Sequence, residues 1–566
     1  MHALRLVALL AACAPADAPP DDDDAPRYAT EFTVVEVDPG AAAPLQLAVQ
    51  ACAGLSNRRL GGSVYVQTEP QDADWLDALA LTPARVVDAA TFLTACAADI
   101  PACVPYDYAS QQELLPAILT AAAATGALPL DVGLDVPCAD VTFDAVAELA
   151  EADTPLLATQ RVADRFLDRT AGLAMLNPGY DTSGADNDHP PITRDMPATL
   201  VDLVFSERLF VVFLIHGCVE GEPERDLLSS LVNAGVWPTP VEVYGYNNSW
   251  NVGGYLYEAQ TRCLASRNMG AIASETYNLS FFSTRRPPIT ASDALERSAP
   301  VTPPYDPTHT YVAFVVGDGD NVRYLMTTRG AWLRQRIAAC AEDPAVCAPL
   351  TWSLSPHIAR LAPDILTWYY ATSSQTGRDS FTLPPSGHLY AYPSSLNEAD
   401  QARFVTATER DASVLGVHGV VHWDWLDTWR DAEDHVLPRY AGGPITGVFP
   451  VNVPYLLDPF PWWPADRFYE VLTGDDGGEV VVFRPREWRG VDGAGGAEAP
   501  FHKTPQDMAA ELGAYPPGTV TWVYMTSDGG LDLENSFLAL TRLLPAHVEL
   551  VTADAASALA LEASRR

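Results

Sequence analysis

The chain has 566 residues, of which 48% are hydrophobic and 19% charged. This composition supports packed cores in roughly two to four domains and excludes a disordered chain. Asp and Glu number 73 against 34 Lys and Arg, a net charge of −39. Nucleic-acid binding is excluded because it needs a basic face to displace counterions from phosphate, and charge-driven adhesion to anionic lipid is excluded on the same ground.

The first residues predict an export signal. Residues 1–12 combine a basic start, a short apolar run and small residues, which is the pattern of a signal peptide. Together with Cys13 they resemble a bacterial lipobox, so we expect lipid attachment at Cys13; a chance run of Ala and Leu is the alternative. Residues 13–28, rich in Pro, Ala and Asp, predict a tether. The expected location is the periplasm, outer membrane or cell surface of a bacterium, with membrane contact only through the lipid anchor.

The remaining cysteines fit an exported protein. Eight remain after Cys13, an even number that predicts disulfides. Cys96 with Cys103 and Cys340 with Cys347 each enclose six residues, so we expect two local bridges. Buried free thiols are the alternative, because spacing does not fix connectivity.

The chain divides at residues 284–308, which are rich in proline, lack periodicity and predict a linker. Residues 29–283 predict an α/β region of one or more lobes, because strand-like runs alternate with Ala- and Leu-rich helical stretches. These runs lie at 63–67, 208–217, 241–246 and 270–275.

Residues 309–556 predict a (β/α)₈-like barrel, because eight strand-like runs alternate with helical segments such as 325–340 and 465–474. An open doubly wound sheet is the alternative, since a strand count does not prove closure. The runs lie at 310–318, 350–355, 388–393, 419–425, 447–452, 479–485, 519–525 and 547–552.

Polar residues gather at the ends of these runs, where such barrels carry their catalytic side chains. Acids beside aromatic rings are typical of a carbohydrate site, because sugar rings lie on aromatic planes and their hydroxyls pair with carboxylates and amides. The candidates are Asp318, Asp320, Asn321, Trp352, His357, Tyr390, Tyr392, His422, Asp424 and Asp528, with Glu275 from the N-terminal region.

Two segments resemble a known family. PSGHLYAYP (385–393) resembles the signature of the GxGYxYP putative glycoside hydrolases, with Leu389 where the family has its second glycine. VVGDGDNVRYL (315–325) is similar to the DGDN segment upstream of that signature, and residues 47–79 resemble the opening segment of the family. The resemblance spans most of residues 40–550. It implies a sugar-hydrolysing activity and a carbohydrate substrate, with no cofactor.

Glycoside hydrolysis needs two carboxyl groups, one to protonate the leaving oxygen and one to attack or to activate water. We predict Asp318 or Asp320 in partnership with Asp528, with Asp424 in reserve. A glycine turn whose aspartates cap the next helix is the alternative for GDGDN, and a simple Asp-Gly turn is the alternative for residues 527–530.

The other candidates are predicted substrate contacts, each with a structural alternative. His357 also fits ordinary helix initiation after Pro356. His422 and Asp424, two residues apart on a strand, also fit a buried satisfied pair. Tyr390 and Tyr392 also fit the core, where strand aromatics usually pack.

Two other functions stay open. Asp318 and Asp320, together with His357 or His422, could hold a divalent metal such as zinc or manganese, as in a metal-dependent carbohydrate deacetylase or esterase. A non-catalytic surface glycan binder would need the aromatic groove and not the acids.

Overall fold

The computed structural model describes residues 28–176, 178, 198–245, 256–295, 300–453, 459–474, 476–489, 502–526 and 532–566. The predicted signal at 1–12, the lipidation site Cys13, all but the last residue of the tether and the candidate Asp528 lie outside these residues. Within them, no helix has the length and apolar character needed to cross a membrane.

The described residues of the N-terminal region form ten short strands, which pair with one another in parallel. They form three sheets, with the orders β2-β1-β3, β5-β4-β6 and β10-β9-β7-β8. The strands are β1 Thr33–Glu36, β2 Val64–Gln67, β3 Arg85–Asp88, β4 Ala102–Tyr106, β5 Leu128–Asp131, β6 Asp140–Val141, β7 Gly172–Met175, β8 Leu209–Val212, β9 Val241–Tyr244 and β10 Met269–Ile272.

The helices of this region cover the sheets and connect parallel strands. The connection is expected, because parallel neighbours need a crossover rather than a tight hairpin. The α-helices are Ala43–Leu60, Pro70–Ala78, Ala89–Asp99, Tyr108–Gln111, Leu115–Thr125, Ala145–Glu148, Pro155–Phe166, Val201–Glu207, Pro223–Asn233, Leu256–Ala265 and Leu279–Arg285.

In the C-terminal region, the part of the chain that the structure describes contains ten further strands in two sheets. One sheet has the order β13-β12-β11-β19-β18 with β20 also on β11, and the other has the order β14-β15-β17-β16. The strands are β11 Thr310–Val316, β12 Leu350–Ser353, β13 Asp379–Thr382, β14 Gly419–Trp425, β15 Gly447–Val453, β16 Tyr469–Thr473, β17 Glu479–Phe483, β18 Glu487–Trp488, β19 Val520–Met525 and β20 Val548–Val551.

The helices of the C-terminal region lie between these strands. A π-helical turn, Leu325–Arg329, precedes Gly330–Glu342, and another, Leu533–Leu538, precedes Ala539–Thr541. The other α-helices are Val322–Tyr324, Ile358–Leu361, Pro363–Ser374, Glu398–Leu415, Trp429–Asp431, Pro505–Gly513 and Ala553–Ser564.

Parallel pairing dominates the C-terminal region, as a βα-repeat predicts. Only β16 pairs antiparallel, with β17, among the described strands of this region. A single bridge between Leu383 and Val420 links the two sheets after β13. The described residues show no ladder between β17 and β18, so the fold is a mixed α/β fold with parallel sheets and a closed barrel is not shown.

Two predicted elements are wrong. Residues 388–393 are not a barrel strand; the third strand is β13, immediately upstream. Pro384, Pro385 and Pro393 cannot donate ladder hydrogen bonds, and Tyr390 instead exchanges backbone hydrogen bonds with Ala271 at the end of β10, at 2.8 and 3.0 Å. Residues 465–474 are not helical, because the turn from Gly474 to Gly478 folds β16 back onto β17.

Four disulfides tie the described chain together. Cys340–Cys347 is confirmed, but the predicted bridge between Cys96 and Cys103 is wrong. The other bridges join Cys52 to Cys96, Cys103 to Cys138 and Cys218 to Cys263. Cys96 lies in the last turn of helix Ala89–Asp99, which packs on the helix that carries Cys52, whereas Cys103 lies in β4. Packing therefore overrides proximity in sequence.

Gly387 is required where the chain turns from β13 toward β10. Its φ is +100°, and an added Cβ would lie 2.5 Å from Cγ2 of Thr408. Gly377 has φ +63° and open space around its Cα, so it is a matched control for the backbone cost alone.

We expect Gly387→Ala to lower the free energy of unfolding by about 2–5 kcal/mol, the sum of overpacking and the left-handed backbone cost. Gly377→Ala should cost only about 1–2 kcal/mol. Urea denaturation under oxidising conditions measures both. Equal losses for the two variants would contradict the predicted clash with Thr408.

Candidate functional site

A small pocket lies where the C-terminal ends of β11, β12 and β13 meet the segment that follows β10. Its volume is about 10 Å³, about the space that one water molecule needs. Both halves of the chain form its wall, which consists of Ala271, Ile272, Ala273, Asp320, Ser355, His357, Pro384, Pro385, Gly387, His388 and Tyr390.

The loop that follows β11 brings Asp320 to this pocket. An added Cβ on Gly319 would lie 1.9 Å from the carbonyl oxygen of Ser353, and one on Gly317 would lie 2.4 Å from the ring of Tyr524. Both glycines therefore allow the loop to lie directly against β12 and β19. This packing, and not general flexibility, explains the glycines of GDGDN.

Asp318 is fixed as a carboxylate by an arginine. It has φ +59°, and Nη2 of Arg329 donates to its Oδ2 at 2.6 Å. Arg329 also donates from Nε to the Gly317 carbonyl at 2.8 Å, and its side chain is only 2% exposed. Since a buried guanidinium needs a charged partner, Asp318 holds its negative charge here.

Asp320, two residues later, has the opposite protonation state. Burial, together with the charges of Asp318 and Glu275, raises its pKa to about 8, although its own backbone N–H and Arg329 lower the pKa in part. The side chain is therefore largely protonated at neutral pH. Two neighbouring carboxyl groups with opposite protonation states are the arrangement that acid–base catalysis on a sugar uses.

The helix after this loop is capped by a residue other than the aspartates. Oδ1 of Asn321 accepts from the N–H of Tyr324 at 3.2 Å, so Asn321, predicted to contact substrate, is the N-cap of Val322–Tyr324. The alternative in which Asp318 or Asp320 caps the helix is therefore not what the structure shows.

His357 lies on the pocket wall, and its ring is neutral. Burial and the charge of His388 lower its pKa to about 4. Its Nε2 lies 2.5 Å from the carbonyl oxygen of His388, and because a carbonyl can only accept, Nε2 carries the proton. Nδ1 is then an acceptor, and it has no hydrogen-bond partner among the described residues.

His388, on the same wall, carries a positive charge. Burial lowers its pKa, but hydrogen bonds to Asp411 and Glu242 outweigh burial and raise it to about 9. Its Nδ1 lies 2.6 Å from Oδ2 of Asp411, and its Nε2 lies 3.5 Å from Oε1 of Glu242. These three residues are not among those predicted from the sequence; the position of His388 inside the PSGHLYAYP segment is the one signal that points to any of them.

Glu242 connects this cluster to the N-terminal sheet. It lies on β9, where burial raises its pKa, but the hydrogen bond from His388 and the charge of Arg360 lower it far more. Arg360 lies 3.7 Å from Oε2 of Glu242 and also donates to the hydroxyl of Tyr244. Charge pairing therefore joins the two halves of the chain beside the pocket.

Several predicted contacts lie away from the pocket. Trp352 is a correction: it is buried in β12, where its Nε1 donates to Asp379 at 2.8 Å, so it cannot stack on a sugar. Tyr392 is fully buried and packs on Trp425. Tyr390 does line the pocket, with its ring 5.1 Å from that of Trp423.

Asp424 and His422 form a buried structural pair. Both side chains are fully buried, with Nε2 of His422 3.4 Å from Oδ2 of Asp424. Hydroxyls of Ser394 and Thr428 donate to Asp424 at 2.5 and 2.8 Å. Neither residue lines the pocket, so the structure does not bring the reserve carboxylate Asp424 to Asp320.

The described part of the chain can be searched for the divalent-metal site that the sequence left open. There, no group of three or more His, Cys, Asp or Glu side chains is placed to hold a metal ion. His357 lies near Asp320 but bonds the His388 carbonyl, whereas His422 is buried against Asp424. The residues named for a metal site therefore do not form one there.

Comparison with known proteins finds a family match for one part of the C-terminal region. Residues 308–452 match the GxGYxYP putative glycoside hydrolase C-terminal domain. The matched range contains the Asp318–Asp320 loop, His357 and the PSGHLYAYP segment, so the resemblance in the sequence is confirmed for this GxGYxYP domain. No curated protein sequence matches the chain.

Two solved structures are similar to the chain. The first is a putative hydrolase from Bacteroides thetaiotaomicron VPI-5482, with 15% identity, 95% of each chain covered and a TM-score of 0.66. At that identity the likeness shows the fold alone. The second is a 4-alpha-glucanotransferase from Thermococcus litoralis, with 14% identity over 44% of this chain and 40% of that chain; its TM-score of 0.30 carries no argument.

Leu389 fills the second glycine position of the GxGYxYP signature for a visible reason. Its Cβ would lie 2.7 Å from a Cβ added to Gly270 of β10. The side chain of Leu389 thus uses the space that Gly270 leaves open, while Gly387 keeps the left-handed turn. The substitution alters the contact with β10 and not the bend.

The protonated state of Asp320 predicts a pH-dependent stability. Asp320 is protonated up to about pH 8 in the folded chain but is ionised above about pH 4 in the unfolded chain. The free energy of unfolding therefore falls as pH rises between these values, by up to about 1.4 kcal/mol per pH unit. The Asp320→Asn variant does not show this fall, because asparagine does not titrate. Its free energy of unfolding should therefore rise relative to the native chain from pH 4 to 8 and level off above.

Urea denaturation at each pH measures the difference, with Asp434→Asn at an exposed position as the matched control. A constant difference between Asp320→Asn and the native chain across this range would show that Asp320 is ionised when folded.

Proposed function

We propose that the chain is a glycoside hydrolase that cleaves a poly- or oligosaccharide outside the cytoplasm, with Asp320 as its general acid. The observation that carries the proposal is the pair of neighbouring carboxyl groups in opposite states: Asp318 ionised at Arg329, and Asp320 protonated on the pocket wall. The name of the matched family supports the same activity.

Asp320 would donate its proton to the glycosidic oxygen as the bond to the anomeric carbon breaks. Asp318 would supply the negative charge that stabilises the developing oxocarbenium ion, or attack or activate water. Glu275, which also influences the pKa of Asp320, is the third carboxyl group beside the loop. Asp528, the partner predicted from the sequence, lies outside the described residues. Its role is therefore tested by assaying Asp528→Asn for turnover alongside Asp320→Asn.

The neutral ring of His357 would orient the substrate. Its Nε2 proton is committed to the His388 carbonyl, so Nδ1 is available to accept a hydrogen bond from a sugar hydroxyl. The charged cluster behind it keeps His388 protonated and holds His357 neutral.

Loss of the acid should abolish turnover. We expect Asp320→Asn to lower kcat by about 10²–10⁴-fold, the range for removal of a general acid, on any polysaccharide of a screening panel that the native chain cleaves. Asp434→Asn, the exposed control, should retain full activity. Reducing-end release measures both variants, and full activity of Asp320→Asn would contradict the proposal.

The pH profile should show the acid directly. Because the reaction needs protonated Asp320, kcat/KM should fall above about pH 8 and not above the ordinary carboxyl range. Asp318→Asn removes a like charge, so the residual activity of that variant should fall at lower pH than in the native chain. If the pH at which kcat/KM falls is the same in Asp318→Asn as in the native chain, the electrostatic coupling of Asp318 and Asp320 is contradicted.

We also propose that the protein is exported as a lipoprotein. Four disulfides support an oxidising compartment, and the lipobox-like sequence before Cys13 supports acylation there. Expressed in a bacterium with radiolabelled palmitate, the native chain should carry label in the membrane fraction and Cys13→Ala should not. Equal labelling of both would contradict acylation at Cys13.

A further inference from the structure

A second pocket, of about 600 Å³, lies in the N-terminal region. Its walls follow the C-terminal ends of five parallel strands, β1, β2, β4, β7 and β10, and consist of Pro39, Gly40, Ala41, Ala43, Gln46, Thr68, Glu69, Pro70, Tyr108, Gln112, Pro178 and Tyr277. Crevices at the carboxyl ends of parallel strands are where α/β folds bind ligands, and this volume falls in the range for small-molecule sites.

Three largely buried side chains on this wall carry a polar atom that has no hydrogen-bond partner among the described residues. Gln46 is 6% exposed; its amide nitrogen donates to the Ala41 carbonyl at 2.9 Å, and no described residue pairs with its amide oxygen. Tyr277 is 2% exposed, and its hydroxyl has no hydrogen-bond partner in the described chain. The hydroxyl of Thr68 is also buried and unpaired there. The Thr68 hydroxyl is a buried polar atom that lacks the usual partner, and the Tyr277 hydroxyl and the Gln46 amide oxygen are available to hydrogen-bond a ligand with several hydroxyl groups.

The loop that carries Thr68 is held in place. Oδ2 of Asp72 accepts from the N–H groups of Thr68 and Glu69, at 2.9 and 2.7 Å. Glu69 in turn pairs with Arg323 at 3.0 Å. The unpaired hydroxyl of Thr68 is therefore not a consequence of a loose loop.

Charge identifies the class of ligand. The described lining contains no Lys, Arg or His, so a phosphate or carboxylate ligand would lack a countercharge. The acid Glu69 is already neutralised by Arg323, which removes the attraction for a cation. Neutral amide and hydroxyl groups beside the rings of Tyr108 and Tyr277 suit an uncharged sugar, whose ring has apolar faces and hydroxyl edges.

The same segments serve both pockets. Arg323, which pairs with Glu69, lies three residues after Asp320, and Tyr277 lies two residues after Glu275. Trp75, in the helix that begins at the second pocket, donates to the carbonyl of Met326 at 2.6 Å. An ion pair and a hydrogen bond therefore connect the segment that carries Asp320 to the wall of the N-terminal pocket.

We propose that the N-terminal pocket binds one neutral sugar unit of the substrate whose glycosidic bond lies at Asp320. This inference rests on the proposed function for the position of the scissile bond. Gln46 and Tyr277 hydrogen-bond the sugar hydroxyls, and their loss weakens binding without touching the acid.

The test measures binding by the full-length Asp320→Asn chain, in which a bound sugar stays intact. Titration calorimetry uses cellobiose, maltose, mannobiose and xylobiose as neutral probes, with diglucuronic acid and diglucosamine as charged ones. Gln46→Ala and Tyr277→Phe, each added to Asp320→Asn, should raise the Kd for the bound neutral sugar about tenfold, the effect of one lost hydrogen bond.

Tyr106→Phe is the matched control. Tyr106 is fully buried in β4, its hydroxyl is unpaired in the described chain, and it does not line the pocket, so its removal should leave the Kd unchanged. Circular dichroism confirms that each variant is folded. An unchanged Kd in both pocket variants, a preference for a charged disaccharide, or no binding of any neutral probe would each overturn the inference.

The outcome also separates the two proposals. Binding that depends on Gln46 and Tyr277, in a native chain that cleaves no polysaccharide, would support the sugar site and reject the hydrolase. Turnover by the native chain, with a Kd that both pocket variants leave unchanged, would support the hydrolase and reject the sugar site.

Discussion

The contact between the loop after β11 and its two neighbouring strands is the constraint on which the candidate site depends. Glycine at 317 and at 319 lets the backbone lie where any Cβ would collide with β12 or β19. That contact places two aspartates two residues apart in different surroundings. One meets a buried arginine and the other faces a pocket of about 10 Å³, so the environment and not the residue type assigns their charges.

The PSGHLYAYP segment connects the two halves of the chain. Gly387 makes the turn, Tyr390 extends the edge of the N-terminal sheet by pairing with Ala271, and His388 reaches the carboxylate of Glu242. These are positioning contacts, and none of them requires a sugar. The segment therefore explains why the site needs the N-terminal region: without β9 and β10, the wall that faces Asp320 would be missing.

Elements with strong local patterns can be predicted from the sequence. Buried strands such as β11, β14 and β19 are nearly continuous runs of apolar residues, as central parallel strands are. The acids that follow β11 are easy to recognise because they come directly after such an apolar run. Elements whose structure depends on tertiary contacts cannot be predicted in this way. Residues 388–393 have a strand-like composition but cross to another sheet. Residues 465–474 contain β16, whose structure is set by its pairing with β17 in a hairpin. Trp352 has the composition of a sugar platform, yet its indole is bonded inside the core to Asp379.

The charged cluster and the N-terminal pocket could not be read from sequence, because their members come from distant strands. Glu242 lies more than a hundred positions before His388 and Asp411, and only the packing of β9 against the GxGYxYP segment brings it to them. The pocket of Gln46 and Tyr277 likewise joins residues that no local pattern relates. Such sites follow from topology, which fixes where strand ends converge.

The protonation state of Asp320 is the central claim, and isotope-edited infrared spectroscopy tests it most directly. Carbon-13 labelling of aspartate and subtraction of the Asp320→Asn spectrum isolate the carbonyl stretch of this one side chain. We predict that the band of a protonated carboxyl persists through neutral pH and gives way to the carboxylate bands near pH 8. Carboxylate bands already present at pH 6 would contradict the account.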